Sequence, residues 1–126
     1  MKEAIKTQGS SKEFYTREKC YITELSNSAD DPGLSIARAR VKPGVRTRWH
    51  RLHATVERYC ILQGTGRVEV GNLPPQDVNE GDIVIIPTMI RQRITNTGNA
   101  DLIFLALCTP RYRESAYEDV DDSPET

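Results

Sequence analysis

The stretch Gly44-Val45-Arg46-Thr47-Arg48-Trp49-His50-Arg51-Leu52-His53-Ala54-Thr55-Val56-Glu57-Arg58-Tyr59-Cys60-Ile61-Leu62-Gln63-Gly64 decides how the chain is read. As a helix it would place His50, His53 and Glu57 on one face, like the ligands of a carboxylate-bridged bundle. Three features oppose that: the Pro43-Gly44 turn before it, the β-formers Thr47, Thr55 and Val56 within it, and the strand-like run that continues beyond Glu57. Read as strands, residues two apart share a face, so Glu57 lies beside Tyr59 and Ile61. A carboxylate on such a face is costly unless it is paired, hydrogen-bonded or bound to a metal. Glu57 is therefore the most informative acid in the chain.

Outward from this stretch the same grammar repeats. Short β-rich runs cover Cys20–Leu25, Leu34–Val41, Arg46–Leu52, Val56–Gln63, Arg67–Val70, Asp82–Ile86, Gln92–Asn96 and Leu102–Cys108. Turn signals punctuate them: Asp31-Pro32-Gly33, Lys42-Pro43-Gly44, Gln63-Gly64-Thr65-Gly66, Gly71-Asn72-Leu73-Pro74-Pro75, Glu80-Gly81 and Asn96-Thr97-Gly98-Asn99. Strands at this spacing, without helices between them, predict an all-β sandwich or closed barrel. With 126 residues and no repeat or linker, one domain is expected. Residues 1–19 read as a polar N-terminal arm, 20–113 as the barrel, and 114–126 as an acidic tail, solvated and disordered from about Asp121.

Charge and cysteine usage exclude several classes. The tail holds six acids and no base, leaving the body with 17 basic and 12 acidic residues, a mild excess rather than a nucleic-acid-binding patch. No apolar run approaches the roughly 20 residues of a membrane helix, and the amino-terminal residues are not a secretory signal, so a cytoplasmic protein is expected. Cys20, Cys60 and Cys108 form no Cys-x-x-Cys pair; neither a disulfide framework nor a zinc ribbon is expected, and Cys60 and Cys108 read as buried thiols.

The spacing Gly44-x5-His50-x2-His53-x3-Glu57-x6-Gly64, followed by Gly81-x5-Pro87 and Gln92-x3-Asn96, resembles the two motifs of the cupin superfamily. Those run Gly-x5-His-x-His-x(3–4)-Glu-x6-Gly and Gly-x5-Pro-x-Gly-x2-His-x3-Asn. The resemblance implies a double-stranded β-helix (jelly-roll barrel) of the small single-domain bacterial type. It also implies a homodimer and a site in the barrel mouth, where two histidines and a glutamate of the first motif and a histidine of the second hold a divalent metal. Carried over position by position, His50 and Glu57 are retained, Leu52 and Gln92 replace the other two ligands, and Met89 stands where a glycine is usual.

Two readings of the site follow. A three-ligand metal centre at His50, Glu57 and Gln92 would hold Mn, Fe, Ni or Zn, although an amide oxygen suits the harder cations better. Alternatively these side chains form a metal-free hydrogen-bonding pocket. In either, Glu57 and His50 are the catalytic candidates. Arg40 and Arg48 are candidates to clamp a carboxylate or phosphate, Tyr59 to wall the pocket, and His53 to join it if a bulge turns it inward. Trp49 is of opposite parity to His50 and belongs on the outer face. The expected function is binding of a small, anionic metabolite, as a divalent-metal-dependent enzyme of isomerase, lyase or dioxygenase type. The alternatives are a non-catalytic binding or sensing module, and a barrel serving mainly for dimerisation.

Overall fold

The computed structural model describes residues 1–124. Eleven strands run in order: β1 (Phe14–Tyr15), β2 (Tyr21–Ser26), β3 (Ser35–Val41), β4 (His50–Leu52), β5 (Val56–Gln63), β6 (Gly66–Val70), β7 (Gln76–Val78), β8 (Ile83–Ile86), β9 (Gln92–Asn96), β10 (Leu102–Thr109) and β11 (Tyr117–Asp119). They form two antiparallel sheets, ordered β1-β2-β3-β10-β5-β8 and β11-β4-β9-β6-β7. The only helical elements among the described residues are two single 3-10 turns, at Gln8–Ser10 and Glu114–Ala116. No helix is long and apolar enough to cross a membrane.

All eight sequence-predicted strands are present, Val56–Gln63 and Gln92–Asn96 with the ends expected and the other six with shifted ends. The run expected from Arg46 starts as a strand only at His50, because Arg46 makes no more than an isolated bridge to Thr95. Three further strands, β1, β7 and β11, are too short for a period-2 pattern to be read from sequence.

Strand alternation builds the core. In β5, Glu57, Tyr59 and Ile61 point between the sheets and are buried. Ile61, Ile94, Leu102 and Val41 are almost wholly enclosed, and Tyr59 packs against Phe104 with ring centroids 4.3 Å apart. Burying side chains of this size contributes about 1.5–3 kcal/mol each. On the outer face of the second sheet, the guanidinium groups of Arg91 and Arg93 both lie over Trp49, 4.2 and 4.3 Å from its ring centroid. Cys20 and Cys108 are buried free thiols, whereas Cys60, expected to be buried, is only half covered, since its parity is opposite to that of Tyr59.

Two motif residues are explained by backbone demands. Gly64 adopts φ +87°, and a Cβ there would stand 2.8 Å from the carbonyl oxygen of Asp101. Asn96 is buried and donates its amide to the carbonyls of Val41 and Ala100 while accepting from the Gly98 N–H, which ties the β9–β10 turn to β3.

Both chain ends are tied to the barrel. In the N-terminal segment β1 pairs with β2 of its own chain through Phe14–Ile22 and Tyr15–Tyr21. The acidic end lies on the basic body: β11 pairs with β4, Asp121 accepts from the Trp49 N–H, and the carbonyls of Ser123 and Pro124 accept from Arg48. Glu125 and Thr126, the end of the tail expected to be disordered, lie outside the described residues.

Candidate functional site

A cavity of about 150 Å³ opens at one end of the two sheets. That volume takes up about one six-membered ring. Its inner wall comes from the barrel: Ile22 and Glu24 of β2, Ser35 and Ala37 of β3, His50 and Leu52 of β4, Glu57 of β5, and Ala106 and Cys108 of β10. Its mouth comes from the chain ends: Phe14, Thr16, Arg17 and Glu18 on one side, and Tyr112, Glu114 and Tyr117 on the other.

His50 sits at the junction of these parts. Its Nδ1 lies 2.8 Å from the carbonyl oxygen of Arg48 and 3.2 Å from Oε2 of Glu18. Both neighbours are acceptors, so Nδ1 carries a proton and Nε2 is the nitrogen left for proton exchange. The Tyr117 ring stacks on the imidazole, centroids 5.3 Å apart and planes 19° apart. Burial alone would push the imidazole towards the neutral form. The charges of Glu18 and Glu57, the Arg48 carbonyl and Asp119 together outweigh it and raise the His50 pKa above its ordinary value.

Glu57 is the deepest carboxyl group. Gln92 donates its amide N–H to Glu57 Oε1, and Cys108 Sγ lies 3.8 Å from Oε2 as a weak donor. Burial raises the Glu57 pKa; His50, Gln92 and Cys108 pull it back only in part, and Glu18 adds to the rise. Burial and the nearby Glu57 raise the Cys108 thiol in turn, so it is no nucleophile at neutral pH.

Glu18 reaches His50 because of a tight turn. Thr16 N–H bonds the Cys20 carbonyl at 2.9 Å, Lys19 N–H bonds the Thr16 carbonyl at 3.1 Å, and Lys19 takes φ +73°. The turn is fixed to the barrel where Arg48 N–H donates to the Glu18 carbonyl at 3.2 Å.

The sequence-derived candidates divide. His50, Glu57 and Gln92 do come together, with His50 directly opposite Gln92 in the β4–β9 register. Tyr59 points inward but lies in the core against Phe104 rather than in the cavity wall, and burial raises its hydroxyl far above its ordinary pKa. The anion clamp is not assembled. Arg40, on the outward parity of β3, is bound to Glu13 at 2.7 Å and Asp101 at 3.2 Å and lies over Tyr21. Arg48 is buried, but its guanidinium turns to Asp119 at 2.6 Å and to the Ser123 and Pro124 carbonyls. His53 is not turned inward by a bulge: it sits exposed in the β4–β5 turn, where Nε2 meets Glu118 Oε1 at 2.7 Å.

The resemblance implies a divalent metal at this site, but the donor set here does not fit one. Leu52 presents a hydrocarbon where a second imidazole would be needed. Gln92 directs its N–H at Glu57, and its Oε1 is buried without a partner. A shared cation needs acceptors, not an amide donor, facing it. Among the described residues, no three His, Cys, Asp or Glu side chains gather as a metal cluster.

Glu18, Glu24, Tyr112, Glu114 and Tyr117 were not singled out by sequence reasoning. The one local signal was the polar Thr16-Arg17-Glu18-Lys19 between Phe14-Tyr15 and Cys20-Tyr21, which reads as a hairpin loop.

Two facing antiparallel sheets with a cavity at one end of the strands define a double-stranded β-helix with a mouth site. Residues 37–108 match the cupin domain family, and the chain belongs to it. It is 32% identical over 103 residues to the uncharacterized protein MJ1618 of Methanocaldococcus jannaschii, covering 80% of this chain and 82% of that one. Among solved structures it is similar to Pac13 of Streptomyces, a nucleoside dehydratase whose variants have been solved with uridine. The TM-score is 0.80 at 16% identity, over 98% of this chain and 96% of that one. A conserved double-stranded β-helix protein from Klebsiella pneumoniae matches with TM-score 0.72 at 14% identity, over 85% and 89% of the two chains.

Proposed function

We propose that the chain is a metal-independent acid–base enzyme of lyase or isomerase type, acting on a small ring-sized molecule in the barrel mouth. The observation that carries this is His50, held at Nδ1 by Glu18 and the Arg48 carbonyl beside the buried Glu57. A base oriented at one ring nitrogen by a carboxylate exchanges protons through the other, and the carboxylate stabilises the imidazolium that forms. In a dehydration, His50 Nε2 takes a proton from carbon, the C–H electrons become a C=C bond, and the neighbouring C–O bond breaks. Protonated Glu57, favoured by its raised pKa, delivers the proton with which the hydroxyl leaves as water. In an isomerisation the same proton returns to an adjacent carbon. The likeness to a nucleoside dehydratase supports this type of chemistry without identifying the substrate.

The test is deuterium exchange followed by NMR. Ring-sized hydroxy-ketones and hydroxy-aldehydes, together with uridine, are incubated with the protein in D2O. The expected result is deuterium entering at a carbon next to a carbonyl, or loss of water, slowed by about 100-fold or more in His50→Ala and in Glu57→Gln. Binding without exchange in any compound would overturn the catalytic reading and leave a binding module.

The reading extends to a cytoplasmic homodimer. Ile83 and Ile85 stand 58% and 64% exposed on β8, at the edge of the six-stranded sheet and next to the half-covered Cys60. A second copy covering this edge would remove them from water. Light scattering after size exclusion is expected to give about twice the 14.2 kDa chain mass, and Ile85→Lys to return it to one.

A further inference from the structure

The cavity wall carries more acid than base. Glu18 and Glu57 both face His50, one imidazole for two carboxyl groups. At the rim Arg17 pairs with Glu114 at 3.8 Å, so these two balance. Glu24 remains: it lines the inner wall from β2, half-buried, with no cationic side chain beside it in the cavity. Among the described lining residues Arg17 is the single arginine or lysine, because Arg40 and Arg48 are committed elsewhere.

A second feature points the same way. The Arg17 guanidinium sits 4.6 Å above the Tyr117 ring, which also stacks on His50, so the aromatic lining of the cavity is of a kind that takes a cation on its face. Phe14 and Tyr112 add further aromatic surface around the mouth.

We infer that the cavity takes a small organic cation, an amine with a ring-sized apolar body, its charge held at Glu24 and its body against the aromatic walls. This replaces the anionic ligand expected from the arginine-rich sequence, and it rests on the reading of this cavity as the functional site. An anion would meet the uncompensated Glu24 carboxylate in a half-enclosed space, whereas an ammonium group gains charge-assisted hydrogen bonds there. Burial raises the Glu24 pKa, and a hydrogen bond from Asn27 offsets the rise only in part.

The experiment compares benzylamine, benzyl alcohol and benzoate, which share a ring and differ in charge, by isothermal titration and thermal shift. Benzylamine is expected to bind about tenfold or more tightly than benzyl alcohol, and benzoate more weakly than either. In Glu24→Gln, an isosteric change, the ratio of alcohol to amine dissociation constants should collapse towards one. Ala37→Leu, which fills the cavity from β3, should abolish binding of the amine while the melting transition stays cooperative. Tighter binding of benzoate that Ala37→Leu abolishes would overturn the cation and leave the site reading intact. Amine binding that survives Ala37→Leu would place the ligand elsewhere and overturn both. Failure of all three compounds to bind also overturns the proposal.

Discussion

Glu18 Oε2, on the tip of the β1–β2 hairpin, stands 3.2 Å from Nδ1 of His50, on the first residue of a strand in the opposite sheet. This contact ties a residue outside the cupin motifs to the imidazole inside them. Glu18 is the largest of the influences that hold the His50 pKa up against burial.

That relationship sets a pH dependence. A histidine raised in the folded state contributes stability that is complete below its unfolded pKa, about 6.5, and is lost as pH rises through the folded value. Glu57 and Glu24, raised by burial, act in the same sense from about pH 4.3 upward, because the folded state binds their protons more tightly. The carboxylates held low, Asp119 beside Arg48 and Asp121 beside Ser123, contribute fully above about pH 4 and leave this window undisturbed. Urea unfolding at several pH values is therefore expected to show stability falling from pH 5 to 8. Glu18→Gln should flatten the upper part of that fall and lower the His50 pKa read by imidazole NMR. An unchanged His50 titration in Glu18→Gln would show that the hairpin contact does not tune the ring.

Asp119 anchors the C-terminal strap. Arg48 is 4% exposed at its side chain and receives both Asp119 oxygens, at 2.6 and 3.3 Å. Asp119→Ala takes the paired carboxylate away from a buried guanidinium, at an expected cost of about 2–3 kcal/mol. Hydrogen exchange should speed up at Tyr117–Asp119, which pairs with β4, and with it the Tyr117 stack on His50 should loosen. Glu118→Ala, which touches the half-buried Arg51 and the exposed His53, should leave stability nearly unchanged. Equal losses in the two variants would contradict the buried anchor.

Met89 adopts φ +67°, the left-handed region, at the position where the motif has glycine. A side chain there costs about 1–2 kcal/mol, partly offset because glycine is freer in the unfolded chain. Met89→Gly is expected to stabilise by about 0.5–1 kcal/mol in chemical denaturation. Gly64→Ala, at φ +87° and facing the Asp101 carbonyl, should destabilise by about 2 kcal/mol or more. A destabilised Met89→Gly would mean that the side chain's packing outweighs its backbone strain.

The donor set predicts how the protein treats metals. After dialysis against Mn, Fe, Ni or Zn, elemental analysis should find well under one equivalent, and chelator should not move the melting temperature. Gln92→His supplies the missing imidazole and should raise zinc affinity at least tenfold if His50 and Glu57 can turn to share it. Stoichiometric metal in the wild type, lost in Glu57→Gln, would restore a metal centre as the working site.

The sequence by itself determined eight of the eleven strands and their alternation, and its motif spacing implied that His50, Glu57 and Gln92 share one site. Turn residues act over two to four positions and side-chain parity over two, so β5 and β9 could be placed from their own residues. The motif spacing carried the resemblance that located the mouth. What it could not determine was which long side chains share that mouth. Arg40 and Arg48 were plausible from parity, but Asp101, Glu13 and Asp119 claim them from distant strands and loops. His53 faces out because the β4–β5 turn, with Ala54 at φ +50°, ends the strand before it. Glu18 and Tyr117 reach His50 only because two- and three-residue strands at opposite ends of the chain add to opposite sheets. Such strands have no periodicity to read; only their pairing with a finished barrel holds them in place. The tertiary structure therefore decided the electrostatics of the site, since buried charge takes its partners from space and not from sequence.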